Sequence, residues 1–518
     1  MDQHAHSNGT SFYHKNIKGT NFMEAITLMS SFVKPWNRSF FFLIILFNLT
    51  MAQQDTFQNE SARIAGSILV DGHSLDYLQR LTDGFGGRIS GSAAYKRASE
   101  WAAQQFREAG IKDVRLESYT LPNGWERISA RARMITPLDR PLQVHSYGWA
   151  PSTPKEGVQG EVIYVRHILS QEGIKSQADK IRDRIVLING DSFYQDERFL
   201  DSKYIASKNL LKELAARAIL IRGTAENNVI SSWDDTWGGK LEPLPMVEIG
   251  MEDGRLIERL SAQGAVSIEL QIENKITGPV QVNNVVAEIR GREKPDEWIL
   301  IGAHLDSWDQ GTGAQDGGSG CAMVMEAARA ITKLNVTPRR SIRFVLWGGE
   351  EQGLMGSNAY IHLHASEMNN CVVALNTGLC AGVPQGWIMR GNNDMKKLLQ
   401  PLATFLSGLG GDRLKSEVKF EELSDWESFF LEGVPTLDLW VDLTSYWDIH
   451  NRAGDTFDKV NAHNLTTGSA IVAITAAWFA EQPIAIPSRL DQATINKILT
   501  KVEVYERIND LRGLGVLK

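Results

Sequence analysis

Four short stretches carry residue types suited to metal chemistry. "AHLDSWDQGTGAQDGGSG" holds His304, Asp306, Asp309 and Asp316, and "WGGEEQG" holds the adjacent Glu350 and Glu351. "ALNTG" brings Asn376, while "SYWDIHNRAGDTFDKV" has a single histidine, His450, followed by Asn451. One imidazole with carboxylates is a ligand set that catalytic zinc favours: three protein groups and an open position for water. Two glutamates side by side allow a division of labour, one binding metal while the other takes a proton from water. Taken singly, a His-x-Asp pair also suits a surface turn, and a Glu-Glu pair a solvated helix start. Glycines around them, such as Gly311, Gly313, Gly348 and Gly349, fit loops that approach a ligand closely.

The elements that must position these residues alternate regularly in the C-terminal part. "EWILIGAHLD", "RSIRFVLWGGEE", "CVVALN" and "VPTLDLWV" read as buried strands; "GCAMVMEAARAITKL", "GLMGSNAYIHLH", "DMKKLLQPLATFLSGL" and "TGSAIVAITAAWFA" read as helices. Such alternation predicts an α/β fold, a mainly parallel mixed sheet covered by helices. Ligands of these sheets lie outside the carboxyl ends of the strands, and the first three stretches each follow one. Upstream, "RISGSAAYKRASEWAAQQFREAG" predicts a helix and "VRLESYTL" a strand. From about Ile128 to Glu273 short strands such as "GEVIYV", "RIVLIN" and "RAILIRG" surround a helix, "KNLLKELAARA". No metal-type cluster occurs there, so this section reads as an insertion. The expected divisions are 1–52, 53–127, an insertion over 128–278, 279–482 with the metal site, and an extension over 483–518.

The 518 residues are 43% hydrophobic and 22% charged, with a net charge of -8. No basic excess exists for nucleic-acid binding. Lys34 and Arg38 precede "SFFFLIILFNLTMAQQ", which ends in small residues around Ala52. A charged region, a short apolar run and such an end predict a signal peptide near 34–52, hence a secreted, periplasmic or extracellular protein. The run falls short of the roughly 20 residues of a membrane span, although an uncleaved anchor is the other reading. No stable span is expected in the mature chain. Three cysteines (Cys321, Cys371, Cys380) are too few for a disulfide scaffold.

"HLDSWDQGTGAQDG" followed by "RFVLWGGEEQGLMGS" resembles the M28 family of co-catalytic zinc exopeptidases, most closely its carboxypeptidase Q-like group. "GGRISGSAAYKRASEWAAQQF" belongs to the same resemblance, which runs from about residue 75 to 480. It implies a zinc exopeptidase-like fold with an inserted β-rich protease-associated domain, small peptide substrates and a homodimer. It also implies two zinc ions. His304 would bind the first, Asp316 would bridge both, Glu351 would bind the second, Glu350 would be the general base, and Asp306 would orient the imidazole of His304.

Two ligand positions depart from the family pattern. "LNTG" puts Asn376 where an aspartate belongs, or Gly378 in an ungapped register; counting back from Asp455 puts Asn451 where a histidine belongs. His450 stands one place off, and Gly317 replaces the usual Asp or Asn after the bridging aspartate. Asparagine offers zinc only a neutral carbonyl oxygen, and anionic ligands are what offset repulsion between two close cations. The ligands left suit one ion, or none. Two functions are therefore carried forward: a secreted metallopeptidase that removes terminal residues by metal-activated water, and a catalytically inactive homologue that keeps the fold and peptide binding. Carboxypeptidase, dipeptidase and aminopeptidase preferences stay open.

Overall fold

The apolar run of "EWILIGAH" is too hydrophobic for a strand with a solvated face, and it occupies the middle of a sheet. In the computed structural model, which describes residues 57–190, 202–233, 236–379, 382–419, 424–481, 483, 489–505, 508, 509 and 512, the strands run in chain order as follows. β1 is Asp113–Leu121. β2 (Trp125–Thr136), β3 (Arg140–Leu142), β4 (Val144–Ser146), β5 (Val158–Val165), β6 (Ile185–Asn189), β7 (Ala218–Arg222), β8 (Met246–Ile249) and β9 (Ser267–Ile276) come next. β10 (Val280–Ile289), β11 (Lys294–His304), β12 (Arg340–Trp347), β13 (Cys371–Asn376), β14 (Pro384–Met389), β15 (Arg413–Ser416) and β16 (Thr436–Val441) complete the set. The signal-peptide segment and Cys380 lie outside the described residues.

The first sheet has the order β1-β10-β12-β11-β13-β16-β14-β15. Its centre, β12-β11-β13-β16, is parallel, so four carboxyl ends share one edge. β1, β10 and β14 run antiparallel to their inner neighbours. Side chains alternate along β11: Trp298 and Leu300 pack with Tyr360 and Phe429, on the side of helices Met355–Leu363 and Trp426–Leu431. Helices Gly318–Lys333 and Ala462–Glu481 also cover β11 and β12 and pack on each other. In the second of these every residue from 467 to 480 is buried, as a mostly apolar helix without a polar face requires. Among the described residues, no helix is long and apolar enough to cross a membrane. Cys321 and Cys371 are buried and free.

The second sheet, β3-β2-β9-β5-β6-β7-β8-β4, is built entirely from residues 125–276. Its β5-β6-β7-β8 part is parallel, with Ile188 and Ile219 facing one apolar cluster and Leu187 and Leu220 the other. β4 closes back towards β2. Residues 61–518 form one compact unit that contains both sheets.

Candidate metal centre

His304 is the last residue of β11, and Glu350 and Glu351 follow the end of β12 on the same edge of the sheet. Asp316 arrives from a loop that ends at helix Gly318–Lys333. Ligand atoms of His304, Asp316 and Glu351 converge within 4.8 Å of one another. His304 Nδ1 lies 3.1 Å from the backbone carbonyl of Asp306. A carbonyl only accepts, so Nδ1 carries a proton; in the neutral tautomer with that proton alone, Nε2 is the nitrogen left facing inward, 3.4 Å from Asp316 Oδ1. That tautomer is the one a metal ion requires. Gly317 sits at φ 78°, where a Cβ would come 2.7 Å from the His304 ring, so this departure follows from close packing against the imidazole.

The Asp306 carboxylate does a different job from the one the motif implied. Its oxygens accept the backbone N–H groups of Glu350 and Glu351, both at 3.2 Å. Its Oδ1 stands 4.0 Å from His304 Nδ1, too far to orient the ring, because the shorter backbone carbonyl reaches it first. Asp306 therefore pins the β12 turn to the β11 turn.

Several residues that position the site were not singled out as functional by sequence reasoning. Arg88, from "GGRIS", is fully buried and donates to the carbonyls of Leu305, Gly86, Thr312 and Gly313, wrapping the 305–313 loop around one guanidinium. Asp455 accepts from the N–H groups of Gln315 (2.7 Å) and Asp316 (3.1 Å). Arg127, on β2 of the second sheet, pairs with Asp309. Ser232 N–H donates to the Asn451 carbonyl at 2.8 Å, and Trp233 packs edge-on against His450. Their signals were weak: an arginine between glycines, and side chains far apart in sequence.

Electrostatically the centre is short of positive charge. Burial, then the repulsion of Asp316 and Glu350, pushes Glu351 well above the usual carboxylate range. Burial also raises Glu350, opposed by His304 and reinforced by Asp425 and Asp316. Burial would lower His304, but Glu350 and Asp316 hold its imidazole well above the ordinary value. A bound cation relieves such crowding. The donor set, the tautomer and the charge all fit one divalent ion.

The family profile described as "Peptidase family M28" matches residues 284–476, which include every residue of this trio. This part of the chain is similar to peptidase family M28. Carboxypeptidase Q from Homo sapiens is 28% identical over 417 residues, 80% of this chain and 86% of that one. A probable leucine aminopeptidase 2 from Aspergillus oryzae is 27% identical over 319 residues, 55% of this chain and 62% of its own length. Among solved structures, an M28 peptidase precursor from Shewanella amazonensis superposes with a TM-score of 0.71 at 28% identity, covering 85% of this chain and 100% of that one. An aminopeptidase from Aneurinibacillus sp. strain AM-1, 20% identical, shares the fold with a TM-score of 0.62 over 83% of this chain and 98% of its own.

The positions that departed from the M28 pattern have geometric accounts. Asn451 adopts φ 56°, and with its amide nitrogen turned inward it lies 3.1 Å from Asp316 Oδ2 and 3.3 Å from each oxygen of Glu351. An N–H donor thus stands between two carboxylates. Asn376 points elsewhere, donating to Asp438 at 2.9 Å and Ser424 at 3.2 Å. The β11–β13 register pairs Gly302 with Asn376, which puts Gly378, without a side chain, level with His304. A Cβ there would meet Ser424 Oγ at 2.4 Å. His450 Nε2 is 3.4 Å from Asp316 Oδ2 but lies outside the converging trio, held among Trp233, Tyr446 and Trp447. Among the described residues, the ligand atoms that converge are those of His304, Asp316 and Glu351.

Proposed function

We propose that this chain is a single-metal peptidase of the M28 type acting on small peptides. The observation that carries the reading is the convergence of His304, Asp316 and Glu351 within 4.8 Å beside a half-buried Glu350. Those three residues would hold a divalent ion, which would supply Lewis acidity for activating a water. Glu350, whose carboxyl has a raised proton affinity, takes a proton from the attacking water at its carboxylate and returns it to the leaving amine. His304 stays fixed through its Nδ1–H bond to the Asp306 carbonyl, and Asp306 holds the two glutamates through their backbone.

The test joins zinc content with turnover of a dipeptide. About one zinc per chain is expected, and Glu350→Gln should keep the metal while losing turnover by 100-fold or more. A chain that takes up no zinc would sink the proposal.

A second reading, an inactive homologue that binds peptides, is favoured by Asn451. Its amide N–H between Asp316 and Glu351 is a neutral substitute for part of a cation's role. Zinc stoichiometry separates the two. Residues 128–278 are further proposed to form a protease-associated-type insertion, the segment near 34–52 to direct secretion, and the chain to pair as a homodimer; these extend the family resemblance.

A further inference from the structure

We infer that residues 443–452 form a lid over the metal trio, clasped shut by residues 231–233, and that a peptide reaches the trio when this clasp opens. What enters rests on the peptidase reading above; the movement itself does not. The cavity beside Asp316 and Glu351 holds about 10 Å³, the space of about one water. The loop after β11 walls it through Ser307, Trp308 and Gly311, and residues 443–452 wall it through Asn451 and the backbone of Arg452. A dipeptide is many times larger than a water, so one wall has to move before a scissile bond meets the trio.

The loop after β11 is the fixed wall. Arg88 binds its carbonyls, and Asp455 accepts the N–H groups of Gln315 and Asp316. Residues 443–452 are instead bonded mainly to themselves. Tyr446 N–H donates to Leu443, Ile449 and His450 N–H to Tyr446, and Arg452 N–H to Ile449, each to a backbone carbonyl at 3.0 Å. Arg452 Nη1 adds the carbonyls of Trp447 (3.1 Å) and Asp448 (3.0 Å). A surface loop packed by its own groups keeps its shape when its ends bend. Its outer side faces solvent, where Trp447 is 45% exposed.

The clasp comes from the section that forms the second sheet. Ser232 N–H donates to the Asn451 carbonyl at 2.8 Å, Arg452 Nε donates to Ser231 Oγ at 3.1 Å, and Trp233 stands edge-on to His450 at 5.5 Å. Two hydrogen bonds and a ring contact hold modestly, because folding exchanges most of a hydrogen bond's strength with water. Lids are drawn from such weakly held segments. Opening withdraws the Asn451 amide from between Asp316 and Glu351. It also gives room: a cavity of about 410 Å³ lies beside the lid, lined by Leu379, Trp440, Leu443 and Trp447. Trp447 packs on His450, which stands 3.4 Å from Asp316, so moving the lid joins this space to the trio.

The test locks the clasp. Ser231 and Arg452 are partners in an antiparallel bridge, whose Cα atoms lie about 4.5–5.5 Å apart, within reach of a disulfide. Ser231→Cys with Arg452→Cys is therefore oxidised, and peptide mapping confirms the bond. In zinc-loaded Glu350→Gln protein carrying both changes, titration calorimetry should find alanyl-alanine bound about tenfold or more weakly in the oxidised than in the reduced form, at equal zinc content. Equal affinity in the two forms overturns the lid. Hydrogen exchange at Ser232 reads the movement without peptide or metal. It should slow about tenfold or more on oxidation, and equal exchange in the two forms overturns the lid. In the wild type, Ser232 should exchange faster than Ile219, whose N–H donates to Pro245 inside the second sheet; exchange no faster overturns the lid whatever the variant does. If neither form binds the dipeptide while exchange differs as expected, the lid stands and the peptidase reading fails.

Discussion

Asn376 and Asn451 illustrate how one residue type can depart from a motif for two different reasons. Asn376 is a donor to Asp438, which also receives the buried guanidinium of Arg390. Aspartate at 376 would set two carboxylates face to face, so Asn376→Asp is expected to destabilise the fold by about 3 kcal/mol in urea denaturation and to add no zinc. Asn451 behaves differently, because its amide already sits between Asp316 and Glu351. Exchanging it for histidine replaces an N–H donor with an imidazole beside those two carboxylates. Asn451→His should raise zinc uptake from about one towards two ions per chain, read by elemental analysis; unchanged uptake would show that the loop cannot present a ring there. The sequence showed both departures. It could not show which asparagine faced the site, since strand register decides that.

At the scale of elements, the site depends on how turns are fixed to one another. Arg88 donates to four turn carbonyls, two of them (Leu305 and Gly313) buried, so Arg88→Met leaves acceptors without donors. A loss of about 3 kcal/mol or more is expected, with weakened zinc binding, since each unsatisfied buried group costs about 1–3 kcal/mol. A second link joins helix Met355–Leu363 to β1: His364 Nε2 contacts Glu117 at 2.9 Å, and Nδ1 contacts Glu367. Burial would lower His364, but bonds to Glu117 and Glu367 raise it above its ordinary value. Its stabilisation is therefore fully present below the unfolded value of roughly 6.5 and is lost as pH rises through the higher folded value. Glu117 and Glu367 are lowered, so their share is lost at the acid end. Denaturant midpoints of His364→Gln and the wild type should differ more at pH 6 than at pH 9; equal differences would refute the link.

For the whole molecule, the second sheet acts as part of the site's frame. Arg127 reaches Asp309, Trp149 packs edge-on against Trp308, and Ser232 holds the Asn451 carbonyl. Residues 61–518 should therefore unfold in one transition, with tryptophan fluorescence and far-ultraviolet circular dichroism coinciding. Zinc at about a hundred times its dissociation constant should stabilise that transition by about 2.7 kcal/mol, and Asp316→Asn should abolish the shift. Strand and helix alternation, the candidate trio His304, Asp316 and Glu351 with the neighbouring Glu350, and the resemblance to peptidase family M28 were legible in the sequence alone, because local periodicity and short motifs carry them. Tertiary structure alone decided that Asp306 holds backbone rather than imidazole, that Gly378 rather than Asn376 lies level with His304, and that Arg88, Arg127, Trp233 and Arg452 surround the centre. Those facts arise from register and from contacts between residues far apart in the chain, which no local pattern records.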